Sequence, residues 1–282
     1  MASYLLIGLK KLGMLKRLNL FLDYPGDKGM VVPLIRSIGY DHFFDRDLWM
    51  WKTLNKLLPL CAKDKSFIDV GANIGQTLLK VKSIKRNVPY FGFEPNPNCL
   101  FYLFQLMEVN NFENVTIFPF ALSDKTGISD LDFYSTDATD TSASIVAKFR
   151  DAALQKIKVP TVCASELAQL YHQKIGVVKI DVEGGELEVV KGLYPLLQRD
   201  RPMVICEVLP AYNEENTLRV SRQRELGAIL EDIQYGIVQI DSSGSYQRLK
   251  SFCVHSDIRK TNFLFYPAET KVDIQEKIGL IN

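Results

Sequence analysis

Short apolar runs recur through the middle of the chain, each followed by a glycine or proline turn and then by a longer amphipathic stretch. The runs at 67–70, 90–93, 115–120, 177–181 and 203–208 have the length of buried strands. Between them, apolar residues fall at helical spacing: over 76–86, over the segment carrying Leu100, Phe101, Leu103, Phe104 and Met107, and over 219–234. Strand, turn, helix and strand in repetition predict a parallel sheet with right-handed crossovers. The last two strands, 236–240 and 262–266, are joined by a long loop and predict an antiparallel edge. Further helices are expected over 163–172, with Ser165 as a candidate cap, and over 185–197, broken near Pro195.

Two regions depart from this rhythm. Residues 121–160 hold an Asp124-Lys125-Thr126-Gly127 turn, partial alternation over 128–135, a small polar run at 139–144 and a strand at 157–162. They predict a β-hairpin-like insertion at the rim, near where a substrate would enter. Residues 1–60 read as an N-terminal helical extension, ahead of a main domain at 61–282. Leu5, Leu9, Leu12, Leu15 and Leu18, with Lys10, Lys11, Lys16 and Arg17 and no acid, make 1–22 a basic amphipathic helix. Residues 23–47, rich in proline and glycine, read as an irregular lead-in. Residues 47–60 predict a helix capped at Asp45 or Asp47 and stopped at Pro59.

Composition narrows the class. The chain has 282 residues, 47% hydrophobic and 24% charged, as ordinary globular proteins do. A net charge of +1 argues against a nucleic-acid binder that works through a general basic field. Five scattered cysteines without C-x-x-C spacing suit a reduced, cytoplasmic setting rather than a disulfide framework or zinc site. No apolar run reaches the ~20 residues of a membrane span. The N-terminal apolar run is interrupted by Lys10 and Lys11, and no small-residue cleavage site follows it. Residues 1–22 are expected to dock on the body or on a partner subunit, such as a second copy in a homodimer. Peripheral contact with an anionic membrane surface is the other reading.

The chemistry centres on 66–76, SFIDVGANIGQ, with Glu94 downstream. Gly71 ends the strand where the backbone must turn and let a ligand approach. Asn73 suits such a turn, and Gly75 lets a ligand or a neighbouring strand approach the next helix, whose first N–H groups suit an anion. A carboxylate about 20 residues beyond the turn accepts hydrogen bonds from ribose hydroxyls in nucleotide-binding α/β folds. The dinucleotide pattern G-x-G-x-x-G is absent, which disfavours an oxidoreductase. D-x-G-x-x-x-G suits S-adenosyl-L-methionine, whose carboxylate can meet the helix N-terminus. Asp69, Ala72, Gln76, Thr77, Pro95 and Asn96 flank these positions and complete the candidate cofactor contacts, with Ala121 and Leu122 beside the adenine. At the end of a later strand, VVKIDVEGGELEVVKG places Lys179 and Asp181 on one side, with Glu183 just beyond.

FIDVGANIGQT, FGFEPNP, FALSDKTG, TDTSAS, VVKIDVEGGELEVVKG, ICEV and NFLFYP together resemble the FkbM family of S-adenosylmethionine-dependent methyltransferases, over about 66–267. Where family members often read Leu-Asp-Asp, this chain has Ala164-Ser165-Glu166. The resemblance implies the class I methyltransferase fold, Rossmann-like, with seven strands, the last antiparallel, and helices on both faces. It also implies cofactor contacts at Gly71, Asn73, Gly75, Glu94 and Asp181, and O-methylation of a sugar, glycan or polyketide-like metabolite. Asp181 is the first candidate general base, with His255 and Lys179 behind it; a lone histidine such as His42 or His255 is more often structural. Ser142, Ser144, Glu183 and Glu207 are candidate acceptor contacts. Asp181 and Glu207 could hold a divalent cation, but too few clustered ligands are visible to predict a metal. The rival reading is a catalytically silent scaffold that keeps the fold.

Overall fold

The structure, a computed structural model, describes residues 2–44, 47–60, 64–147, 149–150, 152–167, 170 and 172–270. The chain opens with α1 (Ala2–Lys11) and a short 3-10 turn, Met14–Arg17. A β-hairpin follows, β1 (Asn19–Tyr24) and β2 (Asp27–Ile35): the helix expected over 1–22 ends at Lys11, and the expected irregular lead-in is largely strand. Its alternation is plain in the pairing: Leu20 faces Leu34, and Leu22 faces Val32. Pro33 is tolerated because this sheet has only two strands, so one side of β2 needs no donor. Residues 1–60 are therefore only partly helical. The helix α2 (Leu48–Leu57) starts after Asp47, whose carbonyl accepts from Met50 and Trp51. The alternative cap Asp45, like Cys61, lies outside the described residues.

The body runs β3 (Lys65–Val70), α3 (Gln76–Ile84), β4 (Tyr90–Phe93), α4 (Pro97–Asn110), β5 (Val115–Phe118) and β6 (Ala121–Ser123). Then come β7 (Gly127–Phe133), β8 (Gln155–Cys163), β9 (Lys174–Ile180), α5 (Glu186–Asp200), β10 (Met203–Glu207) and α6 (Thr217–Asp232). The chain closes with β11 (Tyr235–Ile240), β12 (Tyr246–Leu249) and β13 (Asn262–Pro267). The main sheet has the order β12-β11-β13-β10-β9-β3-β4-β5. The five strands from β10 to β5 are parallel. The expected edge is corrected here: β13 sits inside the sheet, antiparallel to both β10 and β11. The hairpin partner β12 adds an eighth strand outside β11.

Strand alternation sends odd and even positions to opposite layers. Phe67, Tyr90, Val177 and Ile205 pack with the hairpin, α2, α3 and α4. Ile68, Phe91, Val178 and Val204 pack with α5 and α6. Asn96 caps α4 by accepting from the amide of Asn98, and Pro97 occupies the first helical position. Pro195 does not break α5, which continues to Asp200. In place of the expected helix at 163–172 the described residues show a 3-10 turn, Ala164–Glu166, and Ser165 bonds the thiol of Cys163 rather than capping. The insertion is a three-stranded sheet, β6-β8-β7, whose long β7–β8 connection lies over the carboxyl ends of the central strands.

Candidate active site

A cavity of about 300 Å³ opens where β3, β4, β9 and β10 end, the edge at which open α/β sheets bind ligands. Gly71, Ala72, Asn73, Gln76, Thr77, Glu94, Pro95, Asn96, Ala121, Leu122, Lys179, Asp181, Glu183 and Glu207 all line it, as the sequence led us to expect. The backbone turns there through left-handed residues, Gly71 at φ +82°, Asn73 at +46° and Gly75 at +88°. At Gly71 a Cβ would stand 1.8 Å from the carbonyl oxygen of Asp181, so glycine is needed for the strand ends to meet as well as for the turn. Gly75 has a different job from the one expected. It does not line the cavity; its Cα faces Leu103 and Leu106 of α4, and a Cβ would come within 2.8 Å of Leu106.

Glu94 is 5% exposed, and both its oxygens accept backbone amides at 2.7 Å, Oε2 from Asn73 and Oε1 from Asn96. Each oxygen keeps acceptor capacity toward the cavity. Burial pushes its pKa up to about 7, against the pull of those two amides. No side chain caps α3, whose first turn supplies Gln76 and Thr77 to the cavity. Phe93, stacked on Phe118 at 4.7 Å, completes an apolar wall with Ala121 and Leu122.

Asp69 does not line the cavity. It is fully buried one layer below, bonded by the Tyr90 hydroxyl and 3.4 Å from Lys179. The Lys179 ammonium lies 3.2 Å from Asp181 and donates to the Gly71 carbonyl at 3.1 Å. Burial alone would lower its pKa, but Asp181 and Asp69 hold it above the ordinary lysine value. Lys179 is thus a charged tie between strands, and the expected role as a base is corrected.

Asp181, Glu183 and Glu207 bring carboxylate oxygens within 4.8 Å of one another. Glu183, at φ +55°, is paired with Arg150 of the insertion. Glu207 accepts from Thr261 at 2.9 Å. Burial first, and the charge of Asp181 next, raise the pKa of both glutamates. These three groups could hold a metal ion, one ligand more than the sequence made visible. Two cations partly offset these acids: Lys179 pairs with Asp181 and Arg150 with Glu183.

His255 does not reach the cavity; it lies on the 250–257 loop, where its carbonyl accepts from Tyr212 and its Nδ1 is buried. His42 is structural, bonded to the Ile74 carbonyl at 3.1 Å and stacked on Tyr102. Ser142 and Ser144 also miss. Ser142 bonds Asp140 and Ser144 accepts from Val146, while the alternate positions Thr141, Ala143 and Ile145 face the cavity. Trp49 and Met50 of α2, Lys80 of α3, Asp140 and Asn262 join the lining without having been singled out in the sequence. The insertion is latched to the glycine corner: Asn73 donates to the Thr139 carbonyl, and Asn96 and Asn98 both donate to that of Ala138, at 3.0–3.3 Å.

A family model described as the methyltransferase FkbM domain matches residues 69–236, from the corner through the insertion and the acidic cluster to β11. The chain belongs to the FkbM methyltransferase family. Its large, mostly parallel sheet with helices packed on both faces is the α/β architecture the sequence predicts. Among curated proteins, hexuronic acid methyltransferase AglP of Haloferax volcanii is 31% identical over 171 residues. That alignment covers 60% of this chain and 66% of AglP, just under two thirds of the relative's own length. Methyltransferase FkbM from Methylobacillus flagellatus aligns over 94% of this chain and 60% of its own, at 15% identity and a TM-score of 0.48. TYW2 of M. jannaschii, solved in complex with AdoMet, aligns over 88% and 83%, at 12% identity and a TM-score of 0.43. Among the described residues of this FkbM chain, no helix is long and apolar enough to cross a membrane.

Proposed function

We propose that the chain methylates a hydroxyl oxygen of a sugar, with a uronic acid, free or within a glycan, as the acceptor class. The observation that carries this reading is the meeting of Asp181 and Glu207 in the same cavity as the Gly71–Glu94 corner. S-adenosylmethionine, when bound, supplies an electrophilic methyl group. The corner fits it: Glu94 keeps acceptor capacity for ribose hydroxyls, and the open first turn of α3 suits a carboxylate. Phe93, Ala121 and Leu122 offer the adenine an apolar wall.

Toward the acceptor, the carboxylate pair Asp181 and Glu207 receives the hydroxyl proton, a task worth about 10²–10⁴ in rate. Lys179 pins Asp181 and stays charged. Arg150 of the insertion holds Glu183 at the edge of the cluster. The name of the relative AglP points to the same acceptor class. A divalent cation on the three carboxylates is the second reading, supported by their convergence.

The test is incubation with isotopically labelled donor and parallel pools of uronic acids, neutral sugars and polyketide-like alcohols, read by mass spectrometry. Labelled product from the uronic acid pool is expected. Product only from the other pools removes the acceptor class, and none from any pool favours a silent scaffold. The donor half is tested separately. S-adenosylhomocysteine should bind more tightly as pH rises through about 7, where Glu94 ionises and becomes a full acceptor. Glu94→Gln should weaken binding about 10–100-fold and flatten that dependence, since a hydrogen bond to a charged group is worth about 1.5–3 kcal/mol. Calorimetric titration showing unchanged affinity would remove Glu94 from the site.

A further inference from the structure

The first 22 residues carry four cations and no acid, although the whole chain is close to neutral. The structure shows why that matters. One side of α1 and the turn after it is spent on the body: Leu6 and Leu15 are buried against Leu34 of β2. The other side is apolar too, and among the described residues nothing covers it. Leu5 is 64% exposed and Leu12 73%. The Leu12 amide still bonds the Gly8 carbonyl at 3.1 Å, so the helical path reaches it. Seven residues apart, Leu5 and Leu12 share one azimuth to within about 20°. Beside the helix, Met14 is 46% exposed and Phe21, on the outward side of β1, 59%. Lys10, Lys11, Lys16 and Arg17 belong to the same short segment as these side chains, with Lys10 over the Tyr40 ring at 3.9 Å. Arg36 joins from another segment, its amide bonding the Leu18 carbonyl at 3.0 Å. Asp23 and Asp27, at the far end of the hairpin, and Asp41, beyond Tyr40, are the acids of the adjoining elements.

We propose that this face docks on an anionic lipid surface, with Leu5, Leu12, Met14 and Phe21 entering the headgroup boundary and the cations meeting lipid phosphates. Charge complementarity selects the occupant. A second copy would set one basic patch against another, and like charges across an interface repel. A nucleic acid would use the cations but has no use for four exposed apolar side chains. A lipid surface uses both, as interfacial amphipathic helices do. This surface is separate from the donor cavity, so it stands or falls independently of the acceptor reading.

The test is co-sedimentation of the full chain with vesicles of phosphatidylcholine alone and with about 30% phosphatidylglycerol added, at low and at about 0.5 M salt. Binding to the anionic vesicles at least tenfold over the neutral ones, lost at high salt, is expected. Lys11→Ala and Arg17→Ala should each weaken it about fivefold. Leu5→Glu with Leu12→Glu should abolish it while leaving the circular dichroism and the affinity for S-adenosylhomocysteine unchanged. Equal binding to both vesicle types, or none, overturns the proposal. So does binding of single-stranded nucleic acid that Leu12→Glu leaves untouched, or a dimer by light scattering that Leu12→Glu dissolves.

Discussion

Glu207→Gln is expected to lower the rate of methyl transfer by about 10²–10⁴-fold, the span of a lost general base, while leaving S-adenosylhomocysteine affinity nearly unchanged. The amide keeps the shape of the carboxylate and the bond from Thr261 but cannot accept a proton. The pH dependence separates this from a structural effect. Burial and the neighbouring charge of Asp181 raise the Glu207 pKa, so at neutral pH the pair holds a proton it must lose before it can take the acceptor's. The wild-type rate should therefore climb as pH rises above neutral, and the variant should lose that limb. A variant of unaltered rate would place the base elsewhere. A wild-type rate abolished by a chelator and restored by a divalent cation would assign the three carboxylates to a metal.

Gly71→Ala should cost the most in stability, on the order of 4 kcal/mol or more. Two penalties coincide. The backbone sits at φ +82°, and the new methyl would stand 1.8 Å from a main-chain oxygen of β9's extension, which cannot swing aside as a side chain can. The carbonyl it would displace belongs to Asp181, so donor binding should fall with stability. Denaturant unfolding gives the first quantity and calorimetric titration the second. A midpoint close to wild type would show that the two strand ends can part.

How much of this was legible in the sequence depends on how local each signal is. The donor corner was readable because its parts lie within one turn: Gly71 and Asn73 need left-handed backbone, and Glu94 follows at the expected separation. Where contacts are made between segments, local reading fell short. Asp69 looks like a cofactor ligand in one dimension, yet the layer it faces holds Tyr90 and Lys179. Gly75 is required by leucines thirty residues away. Ser142 and Ser144 carry hydroxyls suited to an acceptor, but a step of one residue decides which side of an extended segment meets the cavity, and composition does not encode that step. The hairpin at 19–35 was hidden by Pro25, Gly26 and Pro33, although its alternation of Leu20, Leu22 and Tyr24 against Met30, Val32 and Leu34 was present. The position of β13 depends on long-range pairing, which no local pattern carries.

That position has a consequence for how the molecule comes into being. Residues 262–267 are the wedge between β10 and β11, so in a growing polypeptide the sheet stands in two unjoined pieces from the emergence of the β11–β12 hairpin until this segment follows. Until the wedge emerges, β10 presents a bare hydrogen-bonding flank and the β11–β12 hairpin has nowhere to dock. Maturation is then a single late event spanning some sixty residues, from β10 to β13, the kind of distant closure that slows folding. Nascent chains should lean on holding chaperones until that moment.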